Sequence, residues 1–237
     1  MLPDTHGAAH GQPAHGHHAA HAHHPALAHH FEDLGQQSDA ATLGMWVFLV
    51  TEVLFFGGLF TAYSIYRAWY PDAFAVASHE LDITLGAINT AVLITSSLTM
   101  ALAVHAAQLG ERTKLMLFLV LTMILGLAFL GIKSVEYYEK FVEHHIPGPS
   151  FQFEEKYFKN AQIFFSLYFV MTGLHALHMI IGLGIMTWML VWSWNGTISR
   201  EYSNPIEVSG LYWHFVDIVW IFLFPLLYLI GRHVHPS

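Results

Sequence analysis

The chain has no cysteine. Disulfide bonds, thiolate-ligated metals, iron–sulfur clusters and thiol nucleophiles are therefore excluded. Sequence motifs of serine nucleophiles, phosphate-binding glycine loops and zinc peptidases are also absent. We therefore expect no catalytic centre within this chain.

Charged residues are scarce, making up 11% of the 237 residues, whereas soluble domains have about 25%. Nine Lys and Arg stand against seventeen Asp and Glu, for a net charge of −8. No basic stripe is present that would bind nucleic acid, so we expect no such partner. Hydrophobic residues make up 54% of the chain and the mean hydropathy is +0.45. These values predict an integral membrane protein.

Five apolar segments reach or exceed the ~20 residues that cross ~30 Å of hydrocarbon. Only helices satisfy their own backbone at that depth, so we predict an all-α protein with five transmembrane helices in a bundle. The predicted spans are about 42–66, 83–107, 115–135, 161–192 and 208–230. They form one transmembrane domain over residues 41–237.

Residues 1–40 are rich in His, Ala, Gly and Pro, and we predict a disordered tail because they offer little apolar surface to bury. Two histidine runs suit Ni, Cu or Zn: His15, His17 and His18, and His21, His23 and His24. A polar tail that binds metal incidentally is the simpler interpretation, since nothing in the sequence fixes a coordination geometry.

The Lys and Arg residues in the loops and near the ends of the predicted spans indicate the orientation of the chain in the membrane. Five spans place the two termini on opposite sides of the membrane. The N-terminal side carries Arg112, Lys114 and Arg200, and the opposite side carries Arg67, Lys133, Lys140, Lys156, Lys159 and Arg232. Taken alone, the positive-inside rule favours an external N-terminus.

Polar side chains within apolar spans are costly and therefore informative. The candidates are Glu52, Asn89, Glu136, His175, His178, His214 and Asp217. Glu52, near the middle of the first span, is expected to be protonated, paired or turned away from lipid. It is either a structural carboxyl or a group that handles protons. Asn89 is expected to bond a neighbouring helix.

The intramembrane histidines occur at helical spacing. His175 and His178 are three residues apart, which places them on one helical face. His214 and Asp217 repeat the spacing, so we expect His214 to donate its ring proton to Asp217. Ligation of haem or a metal by the three histidines is the alternative to hydrogen bonding between helices.

Two further groups have structural interpretations. Glu136 and Glu139 stand where the third span leaves the membrane, which suggests a solvated helix end. Small residues at other positions are expected to let helices approach closely. They are Gly57, Gly58, Ala87, Ala91, Gly126 and Gly182.

Four stretches together resemble subunit III of the haem–copper terminal oxidases, the cytochrome c oxidase family with its quinol-oxidase relatives. They are WVFLVTEVLFF from Trp46, EYY from Glu136, TGLHALHMIIG from Thr172 and YWHFVDIVW from Tyr212. The resemblance covers residues 42–231 in the family's order. This chain matches the last five helices of the seven that many relatives have, as the five-helix bacterial forms do.

The resemblance implies a subunit with no redox cofactor of its own. It would pack beside subunits I and II, with haem and copper in the catalytic partner, in the bacterial inner membrane. That complex reduces dioxygen to water and translocates protons in aerobic electron transport, and subunit III would stabilise it and support proton uptake. The residue matching Glu52 would lie near bound phospholipid. The family's N-terminus is cytoplasmic, opposite to the charge count.

Other functions remain open at this stage. Subunit III of a quinol oxidase and an accessory protein of nitric oxide reductase share the expected fold. A dihistidine b-haem electron carrier would use two of the intramembrane histidines. A metal or proton transporter would use the N-terminal histidines as a collecting tail.

Overall fold

A computed structural model describes residues 31–148, 151–196, 198 and 202–229. Its helices are α1 (Leu34–Trp69), α2 (Pro71–His79), α3 (Ile83–Leu109), α4 (Arg112–Val142), α5 (Phe158–Asn195) and α6 (Asn204–Phe224). A π-helical turn over Pro225–Leu229 continues α6. Five of these helices, all but α2, are long and apolar enough to cross a membrane. The prediction of an all-α protein with five membrane-length helices is confirmed.

Helix boundaries follow local chemistry. The Asp33 carboxylate accepts a hydrogen bond from the Gln36 N–H at 2.7 Å and so caps α1. Asp82 caps α3 in the same way through the Thr84 N–H. Glycines with positive φ, Gly110 at 75° and Gly196 at 79°, end α3 and α5. Pro225 has no N–H to continue the α-helical ladder, and there α6 changes to π geometry.

Two sequence predictions need correction. The first helix begins at Leu34, eight residues before the predicted start of the span, so residues 34–40 are not part of a disordered tail. Hydropathy marks only the apolar part of a helix, whereas the Asp33 cap sets its true start. The sequence also missed α2, a short helix whose Phe74 and Ala77 are buried against the bundle. Residues 1–30 of the predicted disordered tail, with their two histidine runs, and Ile230 lie outside the described residues.

Helix α6 is the centre of the bundle. Over its apolar window 56% of the residues are buried, compared with 11% for α1, which lies at the edge. α3 packs against α4 and α6, and α5 packs against α4 and α6. Because every other membrane-length helix contacts α6, with α4 doing so through the rings of Trp213 and Trp220, the positions of the polar residues are set mainly by how each helix meets α6.

Trp213 of α6 fills the space where four helices meet. A Cβ added at Gly126 of α4 would lie 2.8 Å from its ring, and one at Gly182 of α5 would lie 2.9 Å from it. Its indole N–H donates to Ser96 Oγ of α3 at 2.8 Å. Two of the predicted small-residue contacts, Gly126 and Gly182, are therefore confirmed. The lack of a side chain at these positions leaves space for the Trp213 ring.

The other four predicted small-residue contacts are wrong. Nothing lies within 4 Å of a Cβ built on Gly57 or Gly58, and Ala87 and Ala91 are exposed on the outer surface. Sequence alone does not tell which side of an apolar helix faces the bundle, because lipid-facing and protein-facing surfaces are equally apolar.

Gly182→Ala tests the packing around Trp213. The added methyl group meets the indole, and we expect a loss of about 1–3 kcal/mol in the free energy of unfolding, as for other overpacked cores. Thermal unfolding of the detergent-solubilised protein measures it. The matched control is Gly184→Ala on the same helix, where nothing lies within 4 Å. Equal stability of the two variants would contradict this account of the packing.

Candidate functional site

Glu52 of α1 faces His178 of α5 at membrane depth. Glu52 Oε2 lies 3.2 Å from His178 Nε2, with the side chains 18% and 13% exposed. The distance is that of an ion pair, but the angles fall outside hydrogen-bond geometry. His178 is therefore the polar group that faces Glu52, at the distance of an ion pair.

The second ring nitrogen of His178 determines what the pair can do. Nδ1 lies 2.8 Å from the Leu174 carbonyl oxygen, which only accepts, so we assign the donor proton to Nδ1. Nε2 is then left to accept a proton from neutral Glu52, or to donate one back to the carboxylate. Both arrangements have no net charge, which suits low-dielectric surroundings. Nε2 is therefore the ring nitrogen that faces the Glu52 carboxyl.

His175 lies in different surroundings from His178, although the two are one turn apart. It is 1% exposed, and its Nε2 lies 3.1 Å from the Val216 carbonyl oxygen of α6. Its ring packs against Phe129 and Trp220, with centroids 5.4 and 5.2 Å away. His175 therefore connects α5 with α4 and α6, whereas His178 connects α5 with α1.

His214 does not bond Asp217, contrary to the expectation from their spacing. Its Nδ1 lies 2.7 Å from Ser97 Oγ on α3. Both oxygens of Asp217 are buried, and neither has a hydrogen-bonding partner among the described residues. The i, i+3 spacing brings side chains to one face, but here a serine on the adjacent helix is the closer partner for the imidazole.

Asn89 was also predicted wrongly. It is fully buried in α3, yet neither its amide nitrogen nor its amide oxygen has a partner among the described side chains and backbone. The three intramembrane histidines each bond a different group, on three separate helix contacts. No two of them share a site in the described part of the chain.

The largest buried polar cluster surrounds Glu136, which is 1% exposed and not part of a solvated helix end. Lys133 Nζ donates to Glu136 Oε2 at 3.1 Å, to the Tyr168 hydroxyl at 3.0 Å and to the Tyr228 hydroxyl at 2.7 Å. The same two tyrosines donate to Glu136 Oε1, at 2.7 and 2.5 Å. The cluster thus joins α4, α5 and the π-helical turn. Glu139, one turn nearer the helix end, is exposed as predicted.

Sequence reasoning missed Lys133 as a site residue, because it was counted among the loop cations. Its spacing of three residues from Glu136 was an available signal of an ion pair. The two tyrosines gave no such signal, since they come from segments 35 and 95 residues further along the chain.

Outside the predicted spans, Glu80, Glu143 and His145 place three potential metal-ligand atoms within 4.8 Å of one another. Glu143 Oε2 is already paired with Lys140 Nζ at 2.5 Å, and His145 Nδ1 lies 3.2 Å from the same oxygen. Burial lowers the pKa of His145 from its usual 6.5, and the Lys140 charge lowers it further, whereas Glu143 and Glu80 raise it. An ion pair network is the simpler description of this cluster.

Breaking the Lys133–Glu136 pair should destabilise the protein strongly. Glu136→Gln leaves a buried ammonium without its carboxylate, and we expect a loss of about 3–5 kcal/mol in the free energy of unfolding. Adding Lys133→Met should recover most of that loss, because the buried cation is then gone. Glu139→Gln at the exposed helix end is the control. Equal stability of the single and double variants in denaturant unfolding would rule out this assignment.

The lowered pKa of His145 predicts a dependence of stability on pH. Since the folded protein disfavours protonation, stability is present above the unfolded pKa and is lost as the pH falls from about 7 towards 5. We expect the melting temperature of His145→Gln to fall less over this range than that of the parent protein. His105→Gln, at an exposed position, should behave like the parent.

The sequence of this chain is similar to those of one protein family. The profile of the family described as cytochrome c oxidase subunit III matches residues 28–232. Cytochrome c oxidase subunit 3 of Alkalihalophilus pseudofirmus is 33% identical over 189 residues, covering 80% of this chain and 86% of that protein. Quinol oxidase subunit 3 of Bacillus subtilis is 32% identical, with coverages of 80% and 86%.

A longer relative matches over a similar share of this chain. Cytochrome c oxidase subunit 3 of Oryctolagus cuniculus is 30% identical over 197 residues, covering 79% of this chain but only 69% of the rabbit protein. The family profile, over residues 28–232, includes all five membrane-length helices and each of the seven polar positions singled out in the sequence. On this basis the chain belongs to the cytochrome c oxidase subunit III family.

Proposed function

We propose that this chain is the non-redox subunit III of a proton-translocating haem–copper terminal oxidase in a bacterial inner membrane. It packs against subunits I and II, and the catalytic partner carries the haem and copper that reduce dioxygen. Family membership supports the oxidase role. The support for proton uptake is the contact of Glu52 with His178 at membrane depth, and we infer that this pair holds one exchangeable proton.

The polar groups of the bundle suit a scaffold. Lys133, Glu136 and their two tyrosines join three segments, and His175 joins three helices through one hydrogen bond and two ring contacts. Groups used in this way hold helices at fixed positions, which a subunit that stabilises a larger neighbour requires. We assign these residues to structure and Glu52 with His178 to the support of proton uptake.

A phospholipid fits beside the proton-holding pair. A wholly apolar groove of about 360 Å³ runs between α1 and α6 and includes Val53, Phe56 and Gly57, adjacent to Glu52. An acyl chain matches such a groove in shape and polarity. The proposal places lipid next to the Glu52 carboxyl, where it would limit access of water.

The family orientation, with a cytoplasmic N-terminus, is part of the proposal. The opposing count of basic residues included Lys133, which is 3% exposed and paired with Glu136 inside the bundle. Lys140 is also buried and paired with Glu143. Neither is a free loop cation, so the positive-inside argument for an external N-terminus loses two of its six residues.

Affinity purification of the native complex tests the oxidase role. A tagged chain purified from its own membranes in mild detergent should bring down larger subunits and a reduced-minus-oxidised haem spectrum. The tagged chain separated from those subunits should be colourless. A Soret band on the isolated chain that is lost in His175→Ala would establish the b-haem carrier instead. The relatives include cytochrome c and quinol oxidases, so assays with both donors identify the electron source.

Substitutions at Glu52 test the proton-holding pair. Glu52→Gln keeps the size and neutrality of a protonated carboxyl, so we expect normal assembly with faster loss of activity during turnover. Glu52→Lys introduces an unpaired cation, which costs about 2–4 kcal/mol at membrane depth, and should reduce the amount of assembled complex. Glu139→Lys at the exposed helix end is the control. Full assembly of Glu52→Lys would contradict an inward-facing Glu52.

A further inference from the structure

Three polar side chains meet at the end of the bundle opposite to the start of α1. Glu80 is the C-cap of α2, Glu143 is the C-cap of α4, and His145 follows in the loop that leads to α5. One oxygen of each carboxylate and one nitrogen of the imidazole lie within 4.8 Å of one another. Potential metal ligands therefore converge here from three separate segments of the chain.

The imidazole of His145 is held in place by aromatic rings. It stacks on Phe165 of α5, with ring centroids 5.0 Å apart and ring planes 21° from parallel. It also meets the Phe153 ring edge-to-face, with centroids 5.7 Å apart. The His145 side chain is 13% exposed. A ligand that is already fixed in this way loses little conformational freedom when it binds an ion.

The ion pair between Lys140 and Glu143 does not satisfy His145. Its Nδ1 is buried and lies 3.2 Å from Glu143 Oε2, yet this contact lacks hydrogen-bond geometry, and Nδ1 has no hydrogen-bonding partner among the described residues. A nitrogen lone pair and a carboxylate oxygen that face each other repel, whereas a cation between them attracts both. The 3.2 Å separation is close to the ~3.4 Å between neighbouring ligands of a tetrahedral zinc ion with bonds of ~2.0–2.2 Å.

Charge and donor type indicate which ion suits the cluster. The charged groups that act on the His145 ring are Lys140, Glu143 and Glu80, so two carboxylates face one ammonium. One negative charge is therefore unbalanced. Imidazole nitrogen combined with carboxylate oxygen is a donor set of zinc, whereas magnesium and calcium prefer six or more oxygens.

The surroundings allow an ion to enter without breaking the ion pair. Glu80 and Glu143 are exposed, so an ion reaches the cluster from solvent. A carboxylate has two oxygens, and Glu143 can bond Lys140 with one and an ion with the other. Lys140 then orients the Glu143 carboxylate, as groups outside the ligand set do in other protein zinc sites.

We propose that Glu80, Glu143 and His145 form a zinc-binding site, with water as the fourth ligand, that connects the end of α2 with the loop after α4. His145 and Glu143 already have the required spacing, and the exposed Glu80 side chain closes on the ion. The site is separate from the Glu52–His178 pair, and it goes beyond the proposed oxidase role, which does not require it.

Zinc binding by the full-length chain in detergent tests the proposal. Histidines outside the described residues, ten before residue 31 and two after residue 229, would also bind zinc. The parent for this assay therefore carries glutamine at those positions. Competition with a chromophoric chelator should show one tightly bound zinc ion per chain. X-ray absorption at the zinc edge should show only nitrogen and oxygen ligands, at about 2.0–2.2 Å.

Variants of the ligands identify the site. His145→Gln and Glu80→Gln should each weaken zinc binding about 10- to 100-fold or more, since even the loss of a group outside the ligand set has such an effect. One control is His144→Asn, at an exposed position with φ of 56°, which asparagine tolerates. The other is Glu139→Gln, one turn earlier on α4 and exposed. Circular dichroism checks that each variant is folded.

Hydrogen exchange locates the bound ion in the unsubstituted chain. The backbone N–H groups of His144 and His145 donate to the carbonyls of Phe141 and Lys140 at the end of α4. At a free zinc concentration of about 100 times the dissociation constant, local openings that break the site become about 100-fold rarer. Exchange of these two amides should slow by the same factor, and His145→Gln should remove the effect.

Several outcomes would overturn the proposal. They are equal zinc affinity in the parent, His145→Gln and Glu80→Gln, an equal loss in the two control variants, and no slowing of exchange at residues 144 and 145. Competition by magnesium at the same concentration as zinc would also overturn it, because this would indicate a cluster of acids alone. The oxidase role is tested separately by copurification with haem-containing subunits, whatever the zinc result.

Discussion

The packing of one indole ring sets the geometry of this membrane bundle. Trp213 lies against Gly126 of α4 and Gly182 of α5 and donates to Ser96 of α3, so one side chain of α6 fixes three neighbouring helices. In lipid there is no hydrophobic force to gather apolar helices, and close packing with a few hydrogen bonds must provide the specificity. The positions of the intramembrane histidines and carboxyls follow from that arrangement.

The polar groups at membrane depth differ in how completely they are satisfied, and this difference indicates their roles. The Lys133–Glu136 cluster has donors and acceptors matched within the chain, as expected of a structural element. The Glu52–His178 contact is paired but imperfectly aligned, which suits a proton that exchanges. Asp217 is buried beside the Ser97 hydroxyl, and its oxygens make no hydrogen bond of standard geometry within the described chain.

Much of the site was accessible from sequence because charged and polar residues are so rare within apolar spans. Six of the seven polar positions were identified that way, whereas Glu136 was taken for a solvated helix end and is buried. The bonding partners of these residues were not predicted. His178 pairs with a residue 126 positions away, and Glu136 is bonded by tyrosines 32 and 92 positions away. The one local pairing expected from spacing, His214 with Asp217, was wrong because Ser97 on α3 is closer to the imidazole. The spacing of residues along one helix predicts the face on which each side chain lies. The hydrogen-bonding partner of that side chain depends on how the neighbouring helix is rotated about its axis.

The sequence by itself determined the number of spans, the all-α class and the resemblance to an oxidase subunit, since these depend on hydropathy, backbone satisfaction and local motifs. Only the tertiary structure decided which face of each helix is inward. It placed Gly126 and Gly182 against Trp213 and left Gly57 and Gly58 facing outward. The physical reason is that lipid and protein interior are equally apolar. Inward and outward faces of a membrane helix therefore differ in shape and hydrogen bonding, which depend on the packed neighbours, and not in the hydropathy that a sequence displays.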